Sequence, residues 1–80
     1  MPIVTVGKHT IEVKNNPLTG QERVLYDGIE KTRGYSIFGK SYVFQVKEDD
    51  AQVTYECETR MGLFSAHFII RRNGIVIFTS

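Results

Sequence analysis

The chain has 80 residues and a formal net charge of +1, with 41% hydrophobic and 24% charged residues, five Phe and four Tyr. These values exclude a disordered chain, which carries fewer aromatic residues and a larger net charge. They also argue against a protein that coats nucleic acid or an anionic membrane, and the length predicts a single domain over residues 1–80.

Three features bear on where the protein works. No stretch approaches the roughly 18 consecutive apolar residues of a membrane-spanning helix. Residues 1–10 lack the charged start and apolar run of a secretory signal. The only cysteine, Cys57, cannot form an intrachain disulfide, which fits a reducing compartment. We therefore expect a cytoplasmic protein that does not associate with a membrane.

Strand signals run along the whole chain. β-Branched and aromatic residues alternate with polar ones, and no window keeps the three- and four-residue apolar spacing of a helix. Eight strands in so short a chain would leave an apolar face bare in one open sheet, so the predicted fold is all-β, an eight-stranded antiparallel β-sandwich built from consecutive hairpins. The strands are predicted at about residues 2–6, 9–14, 21–26, 29–38, 41–47, 52–59, 66–72 and 75–79.

Two-residue turns set the predicted register. Asp27-Gly28 and Asn73-Gly74 suit turns in which both central residues take positive φ, whereas Gly7-Lys8 and Gly39-Lys40 suit turns with glycine first. Asp49-Asp50 is predicted as a fifth turn. The cross-strand pairs that follow are Val6–His9, Val4–Ile11, Tyr26–Ile29, Ile37–Tyr42, Tyr35–Phe44, Val46–Val53, Phe44–Tyr55, Tyr42–Cys57, Arg72–Ile75, Ile70–Ile77 and Phe68–Thr79.

This register also predicts a core. A slip of one residue would put the aromatic side chains in water, so the pairs decide which face of each strand is buried. Gly34 predicts a bend at which one long strand, 29–38, passes from one sheet to the other. The side chains expected to point inward are Val4, Ile11, Val13, Val24, Tyr26, Ile29, Tyr35, Ile37, Tyr42, Phe44, Val46, Val53, Tyr55, Cys57, Phe68, Ile70 and Ile77.

The residues that could carry chemistry favour structural roles. Cys57 is predicted beside core aromatics, where a thiol behaves as a small hydrophobe. His9 and His67 have no His or Cys at metal-ligand spacing, and 48–50 lacks the alternating oxygens of a calcium loop. Residues 39–41 lack the upstream glycine and the helix of a phosphate loop. We therefore predict no catalytic, metal or cofactor site and no enzyme activity.

The last predicted hairpin is apolar on both faces, although a half-buried strand needs only one apolar face. Its second face is either covered within the domain, by residues 60–65 or the N-terminal strand, or meets a protein partner or a second copy. The predicted register puts Phe68, Ile70, Ile75 and Ile77 on one face. The predicted interaction surface on the other face consists of Ile69, Arg71, Val76 and Phe78.

A second interpretation uses the basic residues. Arg60, Arg71 and Arg72 offer an Arg-rich face, joined by Arg33, Lys31 and Lys40, for an anionic ligand or nucleic acid. Because the predicted core takes up the aromatics that would stack on bases, nucleic acid is disfavoured. The predicted function is a non-enzymatic β-sandwich module that acts through protein contacts, either with a partner protein or with a second copy of itself. The alternative is a small β-domain that binds a ligand or nucleic acid through this Arg-rich face.

Three segments carry a resemblance to a known family: His9-x-Ile11-Glu12-Val13, Thr19-Gly20 and Val24-x-Tyr26-Asp27-Gly28. With Gly39-Lys40 and the span from Phe64 to Asn73-Gly74, the chain resembles one half of the Fas apoptosis inhibitory molecule family over about residues 9–77. The resemblance implies a non-catalytic antiparallel sandwich and a cytosolic protein, linked through protein contacts to survival signalling and protection against aggregation. The family has two such domains and a tryptophan-containing segment before its Gly-Lys turn, whereas this chain has room for one domain and has no Trp. No functional residue transfers, because the matched positions are structural.

Overall fold

The computed structural model describes residues 3–16, 18–36, 39–62 and 65–80. Within these ranges the chain forms two four-stranded antiparallel sheets and no helix, with strand orders β1-β2-β3-β4 and β5-β6-β7-β8. The predicted all-β class, with eight antiparallel strands in consecutive hairpins, is confirmed. The strands are β1 (Ile3–Val6), β2 (His9–Asn16), β3 (Gln21–Tyr26), β4 (Ile29–Tyr35), β5 (Gly39–Glu48), β6 (Ala51–Met61), β7 (Ala66–Arg72) and β8 (Ile75–Thr79).

Each sheet belongs to one of two compact units, residues 1–37 and 38–80. The chain order explains the division, since every strand pairs with its neighbour in sequence except β4 and β5. The predicted pair Tyr35–Phe44 therefore does not form, and the pair Ile37–Tyr42 lies outside the described residues. That residues 1–80 act as a single domain stays a prediction.

In the first sheet, the turns produce the expected register. Val6 lies opposite His9, Val4 opposite Ile11 and Tyr26 opposite Ile29. The turn between β3 and β4 has positive φ at both central residues, 52° at Asp27 and 81° at Gly28. This is the conformation that makes Asp-Gly a strong hairpin turn.

The edge strand β4 departs from prediction. Its pairing with β3 shifts between Leu25 and Val24, which leaves Lys31 as a bulge. Gly34 stays inside the sheet opposite Glu22, so the predicted crossing of one strand between sheets at Gly34 is wrong. An edge strand has only one neighbour to cover its side chains.

The burial pattern of the first sheet follows from these positions. Ile11, Val13, Val24 and Tyr26 are buried, as predicted. Ile29 and Tyr35 were expected in the core but are 62% and 67% exposed, because both lie on the edge strand β4. Leu25 was not expected in the core, yet it is buried on the opposite face of β3, between Glu12 and Glu30 of the neighbouring strands.

In the second sheet, the Asp49-Asp50 turn sets the register of the longest hairpin. Both aspartates have positive φ. The predicted pairs are confirmed, and the side chains of one face are buried. Those pairs are Val46–Val53, Phe44–Tyr55 and Tyr42–Cys57, with Ile70 buried beside them on β7.

The predicted turn at Gly39-Lys40 is wrong. Both residues lie inside β5, where Gly39 pairs with Arg60 and Lys40 pairs with Thr59. Gly39 has a φ of 119°, and a Cβ at this position would collide with the Thr59 carbonyl oxygen. Glycine is therefore needed because two backbones approach closely, and not because the chain reverses.

The last hairpin has a bulge that the turn does not reveal. Arg72 lies opposite Ile75, as predicted, and Arg71 lies opposite Val76. Beyond them the pairing shifts, so that Ile70 lies opposite Phe78 and Ile77 is the extra residue. The predicted pair Ile70–Ile77 is wrong, and so is Phe68–Thr79, since Thr79 pairs with Ile69.

Candidate interaction surface

One row of residues crosses all four strands of the second sheet on its outward face. Val43 lies opposite Glu56, Glu56 opposite Arg71, and Arg71 opposite Val76. Residues directly opposite each other point to the same side of a sheet, so the four side chains share one face. Val43 is 58% exposed and Val76 is 51% exposed. The row therefore has an exposed apolar residue at each end and a charged pair between them.

The charges in this row are neutralised within the sheet. Nη1 of Arg71 donates to Oε1 of Glu56 at 2.7 Å and to Oε1 of Glu58 at 3.1 Å. Arg60 donates to the other oxygen of Glu58. Hydrogen bonds from Arg60 and Arg71 hold the pKa of the Glu58 carboxyl below its ordinary value. Two cations and two anions thus form one neutral network.

The outward face also carries a short chain of neutral polar contacts beside this row. The Gln52 amide donates to the Gln45 carbonyl oxygen at 2.6 Å, and the Gln45 amide donates to Thr54 Oγ1 at 3.2 Å. These groups retain hydrogen-bonding capacity for water or a partner, because an amide has two donors and an acceptor. The face is mixed in polarity and has no net charge over these residues.

The predicted surface residues do not all lie together. Ile69 and Arg71 lie on the outward face of β7, and Val76 lies opposite Arg71 on the same side. Phe78 lies opposite Ile70, which is fully buried, so Phe78 belongs to the other face. The bulge at Ile77 causes this change. Alternation alone places Phe78 beside Val76, and one extra residue reverses that placement.

The Arg-rich face is also divided by the structure. Arg60 and Arg71 lie on the outward face, where glutamates neutralise both. Arg72 points to the opposite face, because it follows Arg71 directly in the strand. There its Nη2 donates to Oε1 of Glu48 at 2.9 Å.

Val43 is the member of the row that sequence reasoning did not select. It belongs neither to the predicted core nor to the predicted interaction surface. The two hairpin registers supply the links Val43–Glu56 and Arg71–Val76, but the link Glu56–Arg71 comes from the β6–β7 pairing, for which the predicted turns give no register. Each register alone shows only one isolated exposed apolar residue.

The acidic segment at the β5–β6 turn is structural. Glu48 is buried and accepts a hydrogen bond of 2.6 Å from the Tyr55 phenol, in addition to the one from Arg72. Asp49 and Asp50 form the turn itself. Among the described residues, no three His, Cys, Asp or Glu side chains lie close enough together to hold a metal ion.

The lone thiol and the two histidines lie on three different strands, Cys57 on β6, His67 on β7 and His9 on β2. Cys57 is buried, and burial, with a smaller effect of Glu56, raises its pKa to about 12. His9 contacts Asp27 at 2.7 Å and stacks on Tyr26 in the first sheet. His67 is exposed on β7. Within the second sheet, Cys57 lies on the buried face and His67, opposite Arg60, on the outward face, so these two residues do not form a nucleophile–base pair.

Comparisons with protein-family models, with curated proteins and with solved structures give no match to this chain. The resemblance to the Fas apoptosis inhibitory molecule family therefore stays a prediction. Within the described residues, there is no helix of the length and apolarity needed to cross a membrane.

Proposed function

We propose that this chain is a non-catalytic module that binds a protein partner through the outward face of the β5–β8 sheet. The observation that supports the proposal is the row from Val43 to Val76. Its two ends are exposed valines, and the residues between them are an ion pair that the sheet completes by itself. A partner can cover such a face without leaving an unpaired charge buried, which is the main cost of burying charged groups.

The alternative proposal, an anionic ligand or nucleic acid on the Arg-rich face, has less support. Arg60 and Arg71 already pair with Glu56 and Glu58, and Arg72 lies on the other face with Glu48. Binding to phosphate would have to break these pairs. Electrostatic binding of nucleic acid depends on clusters of uncompensated cations.

Differential capture tests the proposed surface. The tagged wild-type chain is compared with a Val43→Ser/Val76→Ser variant and with an Ile3→Ser/Leu18→Ser control, which removes exposed apolar residues from the first unit. We expect the wild type and the control to capture one or more proteins in similar amounts. The amount captured by the Val43/Val76 variant should be at least about tenfold lower. Circular dichroism would verify that all three chains are folded. Equal capture by all three chains would contradict the proposal.

A further inference from the structure

Within the described residues the two sheets have four edge strands, and three of them are poorly suited to pairing with another chain. β1 has four residues and β8 has five, and β8 also carries the bulge at Ile77. β4 carries the bulge at Lys31 and a second cation at Arg33. Short length, bulges and edge cations are the devices by which proteins prevent edge-to-edge pairing.

The fourth edge strand, β5, lacks these protections in its centre. It has ten residues, and its pairing with β6 runs without a shift from Gly39 to Glu48. Its charged residues stand near the ends, at Lys40, Lys47 and Glu48. The six residues 41–46, Ser-Tyr-Val-Phe-Gln-Val, carry no charge and no proline. Uncharged segments of this length and high β-propensity are those that add strands most readily.

The register of the β5–β6 hairpin determines which backbone N–H and C=O groups of β5 point away from β6, at the open edge of the sheet. Residues that flank a two-residue turn exchange both hydrogen bonds, here Glu48 and Ala51, and every second pair of the ladder does the same. Lys40 turns its backbone N–H and C=O toward β6, where both bond to the side-chain hydroxyl of Thr59, at 3.1 and 3.2 Å. The alternate residues turn their N–H and C=O away from β6, and no strand among the described residues lies there. They are Ser41, Val43, Gln45 and Lys47.

We propose that β5 pairs with β5 of a second copy of this chain, antiparallel about a two-fold axis, to form one continuous sheet across the two copies. A two-fold axis makes the edge its own partner, as a symmetric dimer requires. The proposal concerns the edge of the sheet and does not depend on a partner for its outward face.

The pleat restricts the register of this pairing. Opposed residues must point to the same side, so odd-numbered residues meet odd-numbered ones. This rule excludes the full overlap that would place Lys40 opposite the partner's Lys47. An axis through Phe44 makes hydrogen-bonded pairs of Ser41 with the partner's Lys47 and of Val43 with the partner's Gln45, together with their symmetry mates.

One side-chain relationship favours the axis at Phe44. It brings the two Phe44 rings to adjacent positions, the kind of aromatic pair that stabilises neighbouring strands. An axis at Val43 would instead bring Lys47 to the partner's Gly39, whose φ of 119° departs from strand geometry.

Mass in solution tests the proposal. We expect wild-type chain to pass from its monomer mass of 9.1 kDa to twice that value as its concentration rises, within the range of about 1 μM to 1 mM. In Gln45→Pro the outward-facing N–H is lost while the bonds to β6 remain, so we expect the dimer to weaken at least about tenfold. Gln45→Ala removes the same side chain but keeps the N–H, and should dimerise as the wild type does.

Two further variants separate edge pairing from loss of folding. Thr5→Pro makes the same kind of change on the edge strand β1, where the Val6–His9 closing pair turns the Thr5 N–H outward, and it should leave the dimer intact. Ser41→Lys places a second cation opposite the partner's Lys47 and should weaken the dimer at least about tenfold. A wild-type chain that stays monomeric throughout the range would overturn the proposal. So would a Gln45→Pro or Ser41→Lys variant that is folded and dimerises like the wild type.

Amide hydrogen exchange provides a readout without any substitution. In the dimer, the N–H groups of Ser41, Val43, Gln45 and Lys47 should exchange at least about tenfold more slowly at high protein concentration than at low concentration. The N–H groups of Phe44 and Val46 bond to β6 and should be protected at both concentrations. If the mass doubles but the exchange of these four N–H groups does not slow, the interface must lie elsewhere and the proposed pairing is rejected.

Discussion

The Tyr55 phenol donates a hydrogen bond of 2.6 Å to Oε2 of Glu48, and Arg72 donates to Oε1 of the same carboxylate at 2.9 Å. Three strands supply these groups, β5 the carboxylate, β6 the phenol and β7 the guanidinium. Burial, followed by the hydrogen bond to Glu48, raises the pKa of Tyr55 to about 12, so the phenol remains a donor at neutral pH. The charge of Glu48 is thereby compensated where the chain leaves β5 for its turn.

Tyr55→Phe should destabilise the fold by about 1–3 kcal/mol, because a buried carboxylate oxygen loses a donor. The free energy of unfolding from urea titration would measure the loss. Tyr35→Phe removes a hydroxyl from an exposed tyrosine and is the matched control, expected to stay within about 0.5 kcal/mol of the wild type. Equal effects of the two substitutions would show that the Tyr55–Glu48 bond adds nothing.

Glu30 should make the fold sensitive to acid. Hydrogen bonds from Arg33, then Arg23, lower the pKa of the Glu30 carboxyl from 4.5 to about 2. A carboxyl with a depressed pKa stabilises the folded state above its unfolded pKa, and this stabilisation disappears as pH falls from about 4.5 to about 2. The wild-type melting temperature should exceed that of Glu30→Gln at pH 6, and the two should converge over this window. In an Arg23→Gln/Arg33→Gln background, where the hydrogen bonds that lower the Glu30 pKa are absent, Glu30→Gln should show no comparable convergence.

The hairpin registers could be predicted wherever a local conformational demand marks the turn. Asp27 and Asn73 take positive φ before a glycine, and these residue types are enriched in that conformation. Gly39 shows the limit of the same rule. It has a positive φ within a strand, and its need for glycine comes from the close approach of the Thr59 carbonyl, 20 residues away in the chain. A local sequence pattern does not distinguish this requirement from that of a turn.

The interaction surface was harder to predict than the strands, because it depends on bulges. The sequence around Ile77 is apolar at every position, so alternation carries no sign of an extra residue there. One inserted residue moves Phe78 to the face of Ile70 and leaves Val76 on the outward face. By contrast, the burial of Cys57 and Tyr55 followed from polar and apolar alternation, which is clear in β6.

The two faces of β8 should respond differently to the same substitution. Phe78→Ser should cost about 1–3 kcal/mol of stability, because Phe78 is half-buried and lies opposite the buried Ile70, on the same face of the sheet. Val76→Ser, on the outward face, should change stability by no more than about 0.5 kcal/mol. Urea unfolding of both variants measures the difference. Similar losses of stability, or a larger loss for Val76→Ser, would show that the bulge is not at Ile77.

Cys57 should be almost unreactive in the folded chain. Its side chain is buried, and burial raises the pKa of the thiol to about 12, so the reactive thiolate is scarce at pH 8. Labelling by a thiol reagent should therefore be at least about a hundredfold slower in buffer than in concentrated urea, because it must wait for the sheet to open. Tyr55→Phe should speed native labelling in proportion to its loss of stability, since opening exposes the Cys57 strand. Rapid labelling of the native wild type would show that solvent reaches Cys57 on β6 and would contradict its assignment to the core.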